Sequence, residues 1–310
     1  MISTAENANL LKYAPLCLFT YNRLEETLST IESLQKNYLA AESDLFIFAD
    51  GPKDEADKIK VAAVREFLKQ IEGFRTVKLY ESDLNKGLAN SIINGVTQII
   101  HQFGKVVVLE DDLTTSPNFL NYMNQALNFY ENQNRIFAIA GYTISLKFPK
   151  DYAKDHYFSV RPSSWGWATW RDRWEVVDWE VSDYKQFLKA KSLQRSFNIG
   201  GSDLTNLLKH QMNGKINSWA IRWCYSQWKN KQLAVYPRIS KVKNIGFKGN
   251  ASNTRHRIKE YETDLDKGLV TDFSFSDKIV LNDKIATQFS RTFSIKVRIK
   301  NKILKLLSLK

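Results

Sequence analysis

Hydrophobic and polar positions alternate in blocks along the first 130 residues, and each block carries the period of one kind of element. "APLCLFTYNR" is a short apolar run that turns polar at Thr20 and Tyr21, which predicts a strand. "LEETLSTIESLQKN" follows with Leu24, Leu28, Ile31 and Leu34 on one helical face. "SDLFIFADGPKDE" predicts a second strand, stopped by Asp50, Gly51 and Pro52. "ADKIKVAAVREFLKQIEG" predicts a second helix closed by Gly73, and "RTVKLYES" a third strand. "NKGLANSIINGVTQIIHQFG" predicts a third helix ended by Gly104, and "KVVVLEDD" a fourth strand. A fourth helix is predicted over "SPNFLNYMNQALNFYENQ", with Ser116 as N-cap and Pro117 in its first position.

Strand and helix in strict alternation predict an α/β fold with a mostly parallel sheet, buried on both faces. Ligands of such sheets bind beyond the carboxyl ends of the strands. That rule sets Thr20, Asn22 and Arg23, then Asp50 and Gly51, then Glu110, Asp111 and Asp112 along one rim. Past residue 150 the pattern is irregular, and all eight tryptophans lie there, from Trp165 to Trp228. Two uses suit them, an aromatic core or a wall on which a sugar or base stacks.

The three acids in "VVVLEDDL" carry the chemistry. Adjacent carboxylates at the end of a buried strand repel one another unless a cation or hydrogen-bond donors compensate. Alternation points Glu110 and Asp112 one way and Asp111 the other. Hard oxygen ligands with open positions suit Mg²⁺ or Mn²⁺ bridging to a diphosphate. Asp50 could close a turn or accept from a nucleobase edge; Arg23 could be a surface charge or a fork for phosphate.

These motifs resemble a known family. "FTYNR", "FADG", "NKGLANS" and "VVVLEDDLTTSPNFLNYM", each after a strand, are similar to the nucleotide-sugar half of GT-A glycosyltransferases. They are closest to the N-acetylglucosaminyltransferase I type and its family 2-like bacterial relatives of polysaccharide and lipopolysaccharide loci. "SSWGWATWRDRW", "SWAIRW" and "VYPRISKVKNIGF" resemble further motifs of the bacterial relatives, so the resemblance spans roughly residues 14 to 255.

The resemblance implies a GT-A fold and a metal-dependent, inverting transfer, usually from a UDP-sugar, with Mn²⁺ or Mg²⁺ as cofactor. It implies Asp112 as the metal ligand, Glu110 and Asp111 on the sugar and ribose, and Asp50 on the uracil edge. It also places Thr20, Asn22, Arg23, Gly51, Asn85, Lys86 and Gly87 around the donor. Trp165, Gly166, Trp167 and Trp219 would form the donor-sugar and acceptor pocket. The family's base is an Asp directly after a Trp, where this chain has Ala220 after Trp219. The base therefore falls to another carboxylate: Asp203 and Asp178 are favoured, with Glu180 and Asp172 behind them. His256 is either a surface residue or a group that closes over the diphosphate.

Charge and composition narrow the setting. Of the net +12, a surplus of seven lies in residues 276–310, so the body is too weakly basic for a nucleic-acid-binding protein. "FSIKVRIKNKILKLLSLK" carries six Lys/Arg in its last fifteen residues and no acid. Its basic amphipathic pattern suits either docking on the body or an anionic membrane surface. No run of eighteen apolar residues predicts a transmembrane helix. Two isolated cysteines, Cys17 and Cys224, suit a reducing compartment. The expected layout is one domain, residues 1–275, with a donor half (14–130) and an acceptor half (131–275), and then a basic tail (276–310). The expected setting is cytoplasmic, peripheral at the inner face of the plasma membrane, with a glycan or lipid-linked acceptor. Two other readings fit the same residues, a metal-dependent phosphohydrolase and a membrane-associated carbohydrate-binding protein that has lost its base.

Overall fold

A computed structural model describes residues 12–246, 261–295 and 297. The strands are β1 Leu16–Thr20, β2 Asp44–Ala49, β3 Thr76–Glu81, β4 Lys105–Glu110 and β5 Leu113–Thr115. They continue as β6 Ile136–Ala140, β7 His156–Ser159, β8 Trp167–Trp170, β9 Leu233–Pro237 and β10 Val242–Asn244. The helices are α1 Leu24–Gln35, α2 Glu55–Leu68, α3 Leu88–Phe103, α4 Phe119–Tyr130 and α5 Arg171–Glu175. After them come α6 Tyr184–Lys189, α7 Lys191–Phe197, α8 Leu204–Met212, α9 Trp219–Lys229 and α10 Asp283–Thr292.

An eight-stranded sheet runs in the order β3-β2-β1-β4-β8-β6-β9-β7. β1 to β4 pair in parallel, β8 is antiparallel to both β4 and β6, and β7 closes the far edge antiparallel to β9. The mostly parallel α/β sheet flanked by helices is the one expected. β1 and β4 are apolar and buried on both faces, whereas β3 alternates because it is an edge strand with one neighbour. β5 and β10 form a separate antiparallel ribbon.

α3 buries Ala89, Ile92, Val96, Ile99 and Ile100 at helical spacing against one side of the sheet and stops at Gly104, as expected. α2 ends at Leu68, short of Gly73, because residues 69–70 turn away. α4 begins later than expected: Asn118 stands at its cap, and Ser116 donates its hydroxyl to Asn118 Oδ1 at 2.7 Å. The described part of 276–310 is docked, with Ile279, Ile285 and Phe289 in the main core. Among the described residues no helix is long and apolar enough to cross a membrane.

His156 is fully buried beneath this docked segment. Its Nδ1 faces the Ser274 carbonyl at 3.1 Å, so Nδ1 holds the proton and Nε2 is the acceptor facing the Tyr130 hydroxyl at 3.1 Å. Burial pushes the ring's pKa down to about 4, against the pull of the Ser274 carbonyl. The unfolded chain takes up this proton near 6.5 and the folded one only near 4. Stability from this ring is thus fully present above pH 6.5 and falls by roughly 3 kcal/mol as pH drops to 4. Urea unfolding of His156→Phe across that window should show the slope reduced by one proton.

Candidate active site

The parallel register brings three strand ends to one level. Phe19 lies opposite Phe48 and Glu110, and Thr20 opposite Ala49. The chain then leaves each strand for its helix, and the freed polar groups meet. Tyr21 N–H donates to Asp111 Oδ2 at 3.2 Å, and Asp50 N–H donates to the Thr20 carbonyl at 3.0 Å. Arg23 forks across two acids: Nη1 donates to Asp112 Oδ2 at 3.1 Å, and Nη2 donates to Asp111. The Thr30 hydroxyl and Ile245 N–H hold the carbonyls of Asp111 and Asp112, each at 2.8 Å. The Gly246 backbone presses on Asp112 so closely that a Cβ there would sit 2.1 Å from Oδ2. Thr20 Oγ1 is buried at the same level with no hydrogen-bond partner among the described residues.

One guanidinium does not neutralise three carboxylates. Burial, and then Asp112 and Asp111, push the Glu110 carboxyl well above its ordinary range. Burial raises Asp111 to about 6 against the pull of Arg23, and raises Asp112 in the same way. Burial works against the Arg23 charge, yet Asp111 and Asp112 raise its pKa overall. With all three acids ionised two negative charges would be left over, the charge of one divalent cation, and the raised pKa values show how poorly the site holds them without one. Among the described residues no group of three or more His, Cys, Asp or Glu side chains is arranged to hold a metal ion. A cation at Asp112 would therefore fill its shell with oxygens from outside the chain, which suits a hard ion that keeps open positions. The donor set and charge fit Mn²⁺ or Mg²⁺ on those terms.

Asp50 has a structural task. Its Oδ1 accepts from Gly51 N–H at 2.9 Å and Lys86 N–H at 2.8 Å, and its Oδ2 accepts from Gly87 N–H at 2.9 Å. Asn85 donates to the Gly51 carbonyl at 2.8 Å, so the β2 turn and the loop before α3 form one braced wall. Three amides take up most of the carboxylate's capacity, unlike the free acceptor implied for a base edge. Asn22 is tied as well, donating to Asp57 Oδ1 at 2.8 Å, and Tyr21 donates its hydroxyl to Asp57. Sequence reading missed Asp57 and also Arg65, whose Nη2 donates to the Ser82 carbonyl at 2.6 Å. Both sit on α2, which reads there as an ordinary charged helix face.

The tryptophan-rich half divides. Trp167 and Trp219 are buried in the core, with their rings 5.1 Å apart and Trp174 and Trp223 beside Trp167. They cannot line a pocket for sugar, contrary to the expectation for "SSWGWATW" and "SWAIRW". Trp165 is half-buried, 4.6 Å from the Tyr142 ring and 5.7 Å from Tyr261. β4 pairs with β8 as far as Val108 and Trp167, and a Cβ on Gly166, the residue before, would lie 3.5 Å from Leu109 Cδ2. Gly166 has φ +60, and a Cβ there would meet Val242 at 2.6 Å. Glycine is therefore what the turn between Trp165 and Trp167 requires.

Neither favoured base shares a hydrogen bond or ion pair with the triplet among the described residues. Asp203 meets Arg161 fork to fork, at 2.8 and 3.2 Å. Asp178 accepts from Glu180 N–H, Ser182 N–H and the Ser182 hydroxyl, which holds its own turn and keeps its pKa low. Asp172 pairs with its neighbour Arg173. Ala220 sits in α9 against the tryptophan core. His256 lies outside the described residues.

No family model matches the chain. Over 226 residues it is 24% identical to the alpha-1,3-mannosyl-glycoprotein 2-beta-N-acetylglucosaminyltransferase of Arabidopsis thaliana. That alignment covers 64% of this chain and 50% of the relative, so the chain spans about half the length of the curated relative it matches. Among solved structures, S. aureus TarS superposes with a TM-score of 0.41 at 11% identity, over 76% of this chain and 37% of that one. The mannosyltransferase PcManGT of Pyrobaculum calidifontis, in complex with GDP-Man and Mn²⁺, superposes with a TM-score of 0.40 at 13% identity, over 70% of each chain.

Proposed function

We propose that the chain is a glycosyltransferase that moves a sugar from a nucleotide sugar, by its motifs a UDP-sugar, to a glycan or lipid-linked saccharide acceptor. The observation that carries this reading is the convergence of Thr20–Arg23, Asp50–Gly51 and Glu110–Asp112 on one rim, where three acids share a single guanidinium. The N-acetylglucosaminyltransferase relative supports it.

In the proposed reaction the acceptor hydroxyl oxygen attacks the anomeric carbon, the bond from that carbon to the diphosphate breaks, and the hydroxyl proton passes to a carboxylate. Inversion follows from this single displacement. A divalent cation, when held at Asp112, supplies Lewis-acid stabilisation of the departing diphosphate. Arg23 adds fixed positive charge beside it, in a site where Asp111 keeps its guanidinium oriented. The wall braced by Asp50 positions Asn85, Lys86 and Gly87 against the nucleoside. Trp165, half-buried beside Tyr142, presents an aromatic face, which suits a pyranose ring. Asp203 is the proposed base, because Arg161 meets its carboxylate fork to fork and holds it aligned. The setting we propose is cytoplasmic and peripheral, with the basic segment Lys296–Lys310 on an anionic leaflet. Most of that segment lies outside the described residues.

The test is nucleoside diphosphate release across UDP- and GDP-sugars, with Mn²⁺ or Mg²⁺ and saccharide acceptors. Acceptor-dependent release is expected. Asp203→Asn should lower kcat by roughly 10²- to 10⁴-fold, and Asp178→Asn by no more than about twofold. One observation favours a second reading: Asp203 and Asp178 are both tied, and Ala220 stands where the family has its base. Donor or sugar binding with no turnover across the whole panel would make the chain a carbohydrate-binding protein instead. Release of inorganic phosphate without sugar transfer would make it a phosphohydrolase.

A further inference from the structure

A face of the body lies where α7 and the turn after it meet the stretch beyond α10. Ile199 is 64% exposed, Ile295 50% and Leu193 42%, although each flanks well-packed neighbours. The two segments are joined at this point. Ile295 N–H donates to Ser202 Oγ at 2.9 Å, and the Gly201 backbone lies so close to Phe293 that a Cβ would sit 2.9 Å from its Cβ. Ile199 and Ile295 thus belong to one surface.

The charge of that surface is one-sided. Residues 184–202 hold Lys185, Lys189, Lys191 and Arg195 and no acid. Residues 284–295 add Lys284 and Arg291 and no acid. The nearest carboxylates are taken: Arg161 holds Asp203, and Lys229 reaches Asp183 at 2.9 Å. Apolar side chains standing out among basic residues match a bilayer with anionic headgroups, where the apolar groups enter the interface and the cations meet the headgroups. A path also joins this face to the candidate site. Trp165, Tyr261 and Phe293 form a row of rings at 5.7 and 5.8 Å, and Arg161 stacks on Phe293 at 4.0 Å.

We propose that Ile199 and Ile295, ringed by Lys191 and Arg195, form a membrane-docking face on the folded body that seats on anionic lipid and turns the mouth of the site toward the bilayer. This goes beyond the basic segment 296–310, since it assigns lipid contact to side chains of the body. It extends the reading of a lipid-linked acceptor, yet its test uses no donor or acceptor, so the two fail separately.

The experiment is co-sedimentation of the full chain with sucrose-loaded vesicles of phosphatidylcholine, with and without one quarter phosphatidylserine. Wild type should bind the serine-containing vesicles and leave the neutral ones. Ile199→Ser should weaken binding roughly tenfold. Lys191→Gln with Arg195→Gln should weaken it by about fivefold per charge removed. Ile199 and the two cations are exposed, so the variants should fold, with the circular-dichroism spectrum and thermal midpoint of the wild type. Undiminished vesicle binding by both variants would overturn the proposal and leave residues 296–310 as the whole anchor. Equal binding to neutral vesicles would overturn it too. So would a dimer in sedimentation velocity that Ile199→Ser dissolves without affecting lipid binding, since the face would then belong to a second copy.

Discussion

Asp112→Ala should lower sugar transfer by about a thousandfold, roughly 4 kcal/mol of transition-state stabilisation, and leave the fold standing. The two halves of this result have separate causes. Transfer falls because Asp112 is the carboxylate proposed to hold the cation, and Arg23 alone carries one charge against a diphosphate. The fold stays because the main-chain bond from Ile245 to the Asp112 carbonyl does not involve the side chain. Arg23 also keeps Asp111 as a partner. Removing one of three crowded acids relieves repulsion, so Glu110, raised partly by Asp112, should titrate lower in the variant. Thermal unfolding should therefore show an unchanged or slightly higher midpoint. A variant with wild-type turnover would remove Asp112 from the chemistry.

Trp167→Ala should cost about 3–5 kcal/mol of stability while leaving the KM for donor and acceptor unchanged in the folded fraction. The ring is buried between Trp174, Trp219 and Trp223, at centroid distances of 5.7, 5.1 and 4.4 Å, and its loss leaves a cavity that rigid neighbours cannot fill. Trp165→Ala should do the reverse. Its half-buried ring contributes less to the core, so stability should fall little and, if it meets the sugar as proposed, KM should rise. Chemical denaturation and initial-rate kinetics on both variants separate the roles. If Trp167→Ala raised KM at unchanged stability, the buried tryptophans would belong to the pocket after all.

The contrast between these tryptophans marks the limit of what the sequence holds. The first four strands and the rim at their carboxyl ends were legible, because buried parallel strands read as unbroken apolar runs and their polar exits are abrupt. β8 was not, since its place between β4 and β6 depends on pairing across some 60 residues, which leaves no local pattern. Trp165 and Trp167 stand two positions apart in one motif, and what separates them is which way the chain turns at Gly166. Asp50 was legible as special but not for its reason. A carboxylate that accepts three backbone amides reads in sequence the same as one that waits for a ligand. Asp203 likewise owes its orientation to Arg161, 42 residues away.

The most direct measurement is calorimetric titration of UDP and GDP into the wild-type chain with Mn²⁺ and again with EDTA, followed by Asp112→Ala under the same conditions. Binding should be strong with Mn²⁺, at least tenfold weaker with EDTA, and insensitive to Mn²⁺ in the variant. It should also weaken as pH falls below about 6, where Asp111 takes up a proton. Equal affinity in Mn²⁺ and EDTA, or a variant that still responds to the cation, would mean that the three acids at the end of β4 serve something other than a metal-bound diphosphate.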